Sequence, residues 1–130
     1  MFAAATSWFL PLDAHTLNQW VIGFAFTQLL EIPIYLWGLR RLPMPQRLGV
    51  AFGASAITHP FVWFAVPWYM PGAASRWVLF LVVEAAVVGV EGYYLKQWGR
   101  TRPWHWALLA NAFSAISGEV LHVIWPGWMG

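Results

Sequence analysis

The 130-residue chain contains no cysteine, which excludes disulfide bonds, thiolate metal sites, cysteine nucleophiles and cysteine-ligated iron–sulfur clusters. Charge is also scarce. Only 9% of the residues are Asp, Glu, Lys or Arg, whereas ordinary soluble proteins contain about 25%. Hydrophobic residues make up 60% of the chain, which is more than a soluble domain of this length can bury. These values predict an integral membrane protein whose main partner is the lipid bilayer.

Several function classes find no support in the sequence. The 7 Lys and Arg residues outnumber the 5 Asp and Glu residues, but they lie in separate short loops, so the pattern predicts no nucleic-acid partner. Neither a phosphate-binding loop, nor a dinucleotide fingerprint, nor a nucleophile elbow occurs. The sequence therefore predicts no catalytic residue. Residues 1–12 are apolar but carry no Lys or Arg, so we expect them not to act as a cleaved secretory signal.

Four stretches have the length of about 20 mainly apolar residues that a helix needs to cross a bilayer. They cover approximately residues 17–39, 48–66, 76–96 and 104–125. Proline and glycine turn signals separate them, and loops this short place consecutive helices antiparallel. We therefore predict one all-α domain over residues 1–130, a polytopic antiparallel bundle of four transmembrane helices.

The distribution of basic residues predicts the orientation of this bundle. Only Arg76 lies on one side, whereas the loops 40–47 and 97–103 and their immediate flanks hold the rest, namely Arg40, Arg41, Arg47, Lys96, Arg100 and Arg102. Loops rich in Lys and Arg stay in the cytoplasm. We expect both loops to be cytoplasmic and both termini to lie outside, in the inner (cytoplasmic) membrane of a bacterium.

Polar side chains inside the predicted spans are the main functional signal. A charge at mid-membrane costs on the order of 3 kcal/mol, so such residues are expected to meet partners inside the bundle. Glu84 and Glu91 are seven residues apart, which places both on one helix face. Counting residues from the span boundaries predicts two polar layers, one around Glu31, Glu91 and Asn111 and an outer one around His59, Glu84 and Glu119. The full candidate set is Glu31, Tyr35, Thr58, His59, Glu84, Glu91, Asn111, Ser114 and Glu119.

Three interpretations of this polar cluster remain open. Protonated glutamates can hydrogen-bond across helices and only hold the bundle together. Alternatively, the carboxyl groups and a neutral imidazole can bind and exchange a proton or cation. In the third interpretation His59, Glu84 and Glu119 bind a metal ion, because zinc and iron accept nitrogen and oxygen ligands. The sequence identifies no cofactor, and His59 is also a candidate axial ligand for a haem or pigment.

The residues Glu31-Ile32-Pro33-Ile34-Tyr35, Thr58-His59-Pro60, the pair Glu84 and Glu91, and Asn111 with Ser114 form a pattern over all four predicted spans. This pattern resembles that of a family of small four-helix integral membrane proteins of bacteria, which has no assigned activity. The resemblance implies the same fold and the same shortlist of polar positions. It implies no substrate, cofactor or reaction.

Two main functional hypotheses follow. In the first, the protein handles protons or cations through Glu31, His59, Glu84 and Glu91, and it acts as a homo-oligomer or with a partner protein because one bundle is too small for a large aqueous pathway. In the second, it is an accessory subunit of a larger membrane complex, for which an energy-transducing complex is one candidate, and the same residues only join its helices. A weaker third hypothesis, an intramembrane metalloenzyme, depends on the metal interpretation.

Overall fold

The computed structural model describes residues 13–64, 76–99 and 101–129. Within these ranges the chain is all-helical, as predicted, with four helices: α1 (Ala14–Gly38), α2 (Met44–Phe64), α3 (Arg76–Gln97) and α4 (Pro103–Ile124). The predicted break at residues 67–72, the segment 1–12 and the loop residue Arg100 lie outside the described residues.

The ends of the helices follow from local chemistry. Asp13, the residue before α1, accepts a hydrogen bond from the backbone N–H of Thr16 at 2.7 Å, so α1 begins before the apolar stretch does. Gly99, just after α3, has a positive φ of 74°, which glycine adopts without a steric penalty. Pro103 opens α4, where its missing N–H removes no helical hydrogen bond.

Helix α1, the segment Trp77–Gln97 of α3, and α4 are each long and apolar enough to cross a membrane. Large apolar side chains cover the outside, and Leu29 and Val123 are 72% and 80% exposed, which suits contact with lipid. Helix α2 is not in this set of three, because polar residues such as Arg47 and Thr58 interrupt its sequence. Length and composition thus support three of the four predicted spans.

The helices pack as a ring in the order α1, α2, α3, α4, and each contacts its two neighbours. Between the diagonal helices α1 and α3 no described Cα atoms come within 8 Å. At the end of the ring near the turns 39–43 and 98–102, buried apolar side chains fill the centre. This apolar layer consists of Leu39, Val50, Ala51, Ala54, Leu95, Ala107 and Ala110. Its four alanines allow close helix approach.

Glycine permits one of the closest contacts in the ring. A Cβ atom on Gly38 of α1 would lie 2.8 Å from Cδ2 of Trp106 on α4, closer than real Cβ contacts. A Cβ atom on Gly49 of α2 would meet no other atom within 4 Å. The absence of a side chain is therefore needed for packing at Gly38 and not at Gly49.

Candidate functional site

A polar layer lies directly beside the apolar layer, and all four helices contribute to it. Its members are Glu31 and Tyr35 from α1, Ser55 and Thr58 from α2, Glu91 from α3, and Asn111 and Ser114 from α4. Glu31 and Glu91 are each only 1% exposed. Two carboxyl groups are thus placed at the centre of the bundle, away from the lipid-facing surface.

Glu91 receives a hydrogen bond from each of the other three helices. The Tyr35 hydroxyl donates to Oε2 at 2.5 Å, and the Thr58 hydroxyl donates to Oε1 at 2.8 Å. The side-chain nitrogen of Asn111 donates to Oε2 at 2.6 Å. Hydrogen bonds to a buried carboxyl group replace the water that it loses on burial.

The orientation of the Asn111 amide is fixed by a second bond. Its Nδ2 also donates to the backbone carbonyl of Ala107 at 2.9 Å. A carbonyl oxygen only accepts hydrogen bonds, so the amide nitrogen, not the amide oxygen, must occupy this position. Asn111 therefore donates to Glu91 and cannot accept a proton from it.

Glu31 is bound differently, by two hydroxyl groups. Ser114 donates to its Oε1 at 2.5 Å, and Ser55 donates to its other oxygen. A hydroxyl group can either donate or accept. The Ser114 hydroxyl also lies 3.2 Å from the carbonyl of Asn111, which is an alternative acceptor for its proton. The partners of Glu31 can consequently bond either the carboxylate or the protonated acid.

The donors to the two carboxyl groups come as neighbouring pairs from the same two helices. Helix α2 gives Ser55 to one and Thr58 to the other, while α4 gives Ser114 and Asn111 in the same way. Each pair is three residues apart, which is one helix turn. The two glutamates interact electrostatically, and among the described residues no Lys or Arg lines the space around them. Two such carboxyl groups are stable together when a proton or a cation offsets their repulsion.

An inner cavity of about 150 Å³ borders the polar layer on the side away from the apolar layer. It is lined by both glutamates and extends to Thr27, His59 and Glu84. Since a water molecule occupies about 30 Å³ in the liquid, the cavity has room for several. The side chains of Glu31 and Glu91 therefore border this cavity, although each residue is only 1% exposed.

An entry cavity of about 250 Å³ lies next to the inner cavity, toward the C-terminal end of α4. Thr27, His59 and Glu84 line both cavities. Toward the end of the bundle the wall includes Glu119 and His122. The two cavities together run from this end of the bundle to the polar layer.

His59 lies in an aromatic environment where the two cavities meet. Its ring stacks on Trp63 at 6.1 Å with an interplanar angle of 13°, and the ring of Phe24 is 5.1 Å away. The buried Nδ1 atom has no hydrogen-bond partner among the described residues. Glu84 is half-buried and likewise makes no hydrogen bond within the described part of the chain. The carboxyl group of Glu84 therefore lies beside the cavities without a hydrogen-bond partner in the described ranges.

The metal interpretation finds no geometric support. His59, Glu84 and Glu119 all line the entry cavity, but residues 13–64, 76–99 and 101–129 contain no group of three or more His, Asp or Glu side chains that could hold a metal ion. The three predicted ligands thus share a cavity wall without forming a ligand set. The interpretation of His59 as a haem or pigment ligand stays a prediction.

The structure divides the predicted site residues into two groups. One group forms a single hydrogen-bonded layer and consists of Glu31, Tyr35, Thr58, Glu91, Asn111 and Ser114. The other group lies on cavity walls and consists of His59, Glu84 and Glu119. The predicted outer polar layer is therefore a cavity. Ser55 was missed, although its position three residues before Thr58 on the same helix face is a signal for it.

A scan against protein-family models and searches of curated proteins and of solved structures found no match to this chain. The resemblance to the small four-helix membrane proteins of bacteria therefore stays a prediction. Functional inference depends on the geometry of the buried residues.

Proposed function

We propose that the protein takes up and releases a proton at the pair Glu31 and Glu91, in exchange for a small monovalent cation, within the bacterial cytoplasmic membrane. The observation that carries this proposal is the pair itself. Two buried carboxyl groups take neighbouring donors from the same two opposite helices, border one cavity, and have no Lys or Arg among the described residues of its wall. Such a pair accommodates one proton or one cation at a time.

The proposed setting is an antiparallel bundle in which α2 is the fourth span. On α2 the hydroxyl groups of Ser55 and Thr58 bond inward, while Ile57 and Phe61 are 49% and 59% exposed. A helix with an apolar outer face and a satisfied polar inner face is compatible with lipid despite its lower hydropathy. The excess of Arg in loops 40–47 and 97–103 favours their placement in the cytoplasm.

The contacts between helices support the antiparallel arrangement. Gln28 of α1 donates to the carbonyl of Phe52, and earlier in α1 the ring of Phe24 contacts His59, later in α2. Residue numbers thus fall along one helix as they rise along the other. The same opposition relates α1 and α4, where Gly38 contacts Trp106.

In this proposal Glu31 is the exchanging carboxyl group and Glu91 is its fixed neighbour. When a proton binds Glu31, the Ser114 hydroxyl turns toward the carbonyl of Asn111 and accepts the new O–H. When the proton leaves, the hydroxyl donates to the carboxylate again. Glu91 keeps the Asn111 amide as a fixed donor throughout, because this amide cannot reverse its role. No atom of the backbone has to move.

The test is proton flux in liposomes that contain the purified protein and an internal pH-sensitive dye. A sodium or potassium gradient is imposed, and the internal pH is followed. We expect flux with the natural protein and none with Glu31→Gln, since glutamine keeps the shape of the side chain but cannot bind a proton. The control Asp13→Asn changes a carboxyl group outside the bundle and should leave the flux unchanged.

Two results would overturn the proposal. One is equal flux in folded Glu31→Gln protein, and the other is the absence of flux with the natural protein. If the natural protein also comes out of native membranes in mild detergent together with other membrane proteins, it acts as a subunit of a larger complex. Recovery as a homo-oligomer with flux supports the carrier.

A further inference from the structure

The interior of the bundle is asymmetric along its length. On one side of the polar layer, the inner and entry cavities lead to the end that carries His122 and Trp128. On the other side, the apolar layer fills the centre, and its members Val50 and Leu95 are 2% and 1% exposed. An ion that leaves Glu31 therefore meets, in one direction, cavity walls that include Thr27, His59 and Glu84, and in the other direction packed apolar side chains.

We propose that water and small cations reach Glu31 and Glu91 from one end of the bundle only, through a neck formed by Thr27, His59 and Glu84. In the proposed topology this is the external side. The inference rests on the proposed function for its ligand, but the path itself is a property of the fold. It assigns to Glu84 and His59 the role of positioning residues along the route of the ion.

The neck is where the two cavities share walls. Thr27 from α1, His59 from α2 and Glu84 from α3 line both spaces. Glu84 has no hydrogen-bond partner in the described ranges, so its carboxyl group is available to an arriving cation. The imidazole ring of His59 lines the same point, with its buried Nδ1 unpaired among the described residues.

The apolar layer is a barrier for physical reasons. A hydrated ion that enters it loses its water and finds no polar side chain among the layer's members. Ala54 of α2 and Ala107 of α4 have no exposed surface, and close-packed alanines leave no room for water. Passage to the cytoplasmic side would thus require the helices to separate.

A competing route runs sideways. An apolar groove of about 530 Å³ between α3 and α4, with Leu81, Leu108 and Ile116 in its wall, also reaches Glu84. A route from the bilayer through this groove would admit lipid-soluble molecules but not hydrated ions, because its wall is almost entirely apolar. The two routes can therefore be distinguished, because the groove admits only lipid-soluble reagents and the entry cavity admits charged ones.

The absence of cysteine makes the path directly testable, because every introduced thiol is the only one in the chain. Thr27→Cys reports on the neck and Gly118→Cys on the entry cavity, where a Cβ atom would lie an ordinary 3.8 Å from Phe26. Val50→Cys, of similar volume to the residue it replaces, reports on the apolar layer. Exposed references are Gly127→Cys at one end and Arg41→Cys at the other.

The full-length variants are reconstituted in liposomes and treated with a membrane-impermeant, positively charged thiol reagent, added to one side at a time. We expect Gly118→Cys and Thr27→Cys to react from the same side as Gly127→Cys. Val50→Cys should react on the order of a hundredfold more slowly from either side, because a buried thiol reacts only when the bundle opens. Labelling requires no flux, so this test can fail or succeed independently of the proposed function.

Three results would overturn the inference. Rapid labelling of Val50→Cys from the side of Arg41→Cys would show an opening through the apolar layer. Reaction of Thr27→Cys with lipid-soluble N-ethylmaleimide but not with the charged reagent would show entry through the groove. Protection of both Gly118→Cys and Thr27→Cys from the charged reagent would show that the cavities do not reach water.

Discussion

The hydroxyl of Tyr35 donates to Oε2 of Glu91 at 2.5 Å and thereby joins α1 to α3 across the diagonal of the bundle. The described parts of these two helices have no Cα atoms within 8 Å of each other. Their connection therefore depends on side chains in the polar layer. This relationship makes the same residues important for stability and for the proposed exchange.

Removal of the Tyr35 hydroxyl should destabilise the bundle. Tyr35→Phe leaves Glu91 with two donors from the protein, for which we expect a loss of about 1–2 kcal/mol in the free energy of unfolding. The measurement is denaturant-induced unfolding in detergent micelles. Tyr93→Phe is the matched control, since Tyr93 is 62% exposed and should show no change; equal stability of both variants would contradict the role of the diagonal bond.

The fixed donor role of Asn111 gives an isosteric test. In Asn111→Asp the group facing the carbonyl of Ala107 and the carboxyl of Glu91 changes from a donor to an acceptor. We expect strong destabilisation at neutral pH, with partial recovery in acid because a protonated aspartate can donate one hydrogen bond again.

The measurement is the unfolding midpoint as a function of pH. Asn18→Asp, at an exposed position early in α1, provides the control and should change little. If Asn111→Asp were as stable at neutral pH as in acid, the assigned orientation of the amide would be wrong.

Two glycine substitutions should have effects of opposite sign. Gly38→Ala places a Cβ atom 2.8 Å from the ring of Trp106, and such overpacking costs about 1–3 kcal/mol. Gly49→Ala meets open space and should stabilise helix α2 by about 0.5–1 kcal/mol, since alanine has the higher helix propensity. Thermal unfolding of both variants checks the pair, and tolerance of alanine at residue 38 would contradict the packing described for α1 and α4.

The start of α1 should depend on pH. The backbone N–H of Thr16 donates to the Asp13 carboxylate and lowers the pKa of Asp13 below its ordinary value of 3.8. Because the pKa is lower in the folded state, the cap's contribution is fully present above the ordinary value and is lost as the pH falls through the folded value. As the pH falls through the folded-state pKa of Asp13, amide hydrogen exchange at Thr16 should become faster than the pH dependence of an unprotected amide alone would make it.

The variant Asp13→Asn tests the cause of this acceleration. Asparagine retains an oxygen that accepts the bond from Thr16 but does not titrate. Its amide exchange should show no cap-dependent step in acid, and a step of the natural size would assign the effect to another group.

Much of the fold could be predicted because hydropathy and turn signals identify long apolar helices directly. The offsets at the helix starts have a simple cause. A span prediction begins where the apolar residues begin, at Leu17, whereas the helix begins at the residue after its cap, Ala14. Helix α2 likewise begins at Met44, before its apolar stretch, since Pro45 is tolerated in a first helical turn.

The sequence predicted most of the residues that form the candidate site, but not which of them contact one another. Ionisable residues such as Glu31 and Glu91 stand out because few charges are tolerated in an apolar span. Which donors meet which carboxyl group depends on the rotation of each helix about its axis, which the packing of the whole ring determines. Ser55 escaped prediction because a serine in a helix can bond its own backbone and needs no partner.

The same limit applies to the predicted outer layer. Residue counts gave a common depth to His59, Glu84 and Glu119, but depth alone does not distinguish side chains that touch from side chains that surround a space. The aromatic rings of Phe26 and Trp63, whose positions a count of residues does not give, also line this cavity.

The most direct test of the central claim is infrared spectroscopy of the reconstituted protein, which detects the C=O stretch of a protonated carboxylic acid. A difference spectrum is recorded between a medium with and a medium without sodium or potassium at constant pH. We predict loss of a protonated-acid band when the cation is added, the same loss in Asp13→Asn, and no such band change in Glu31→Gln. A band change of natural size in Glu31→Gln, or none in the natural protein, would contradict the assignment of Glu31 as the exchanging group.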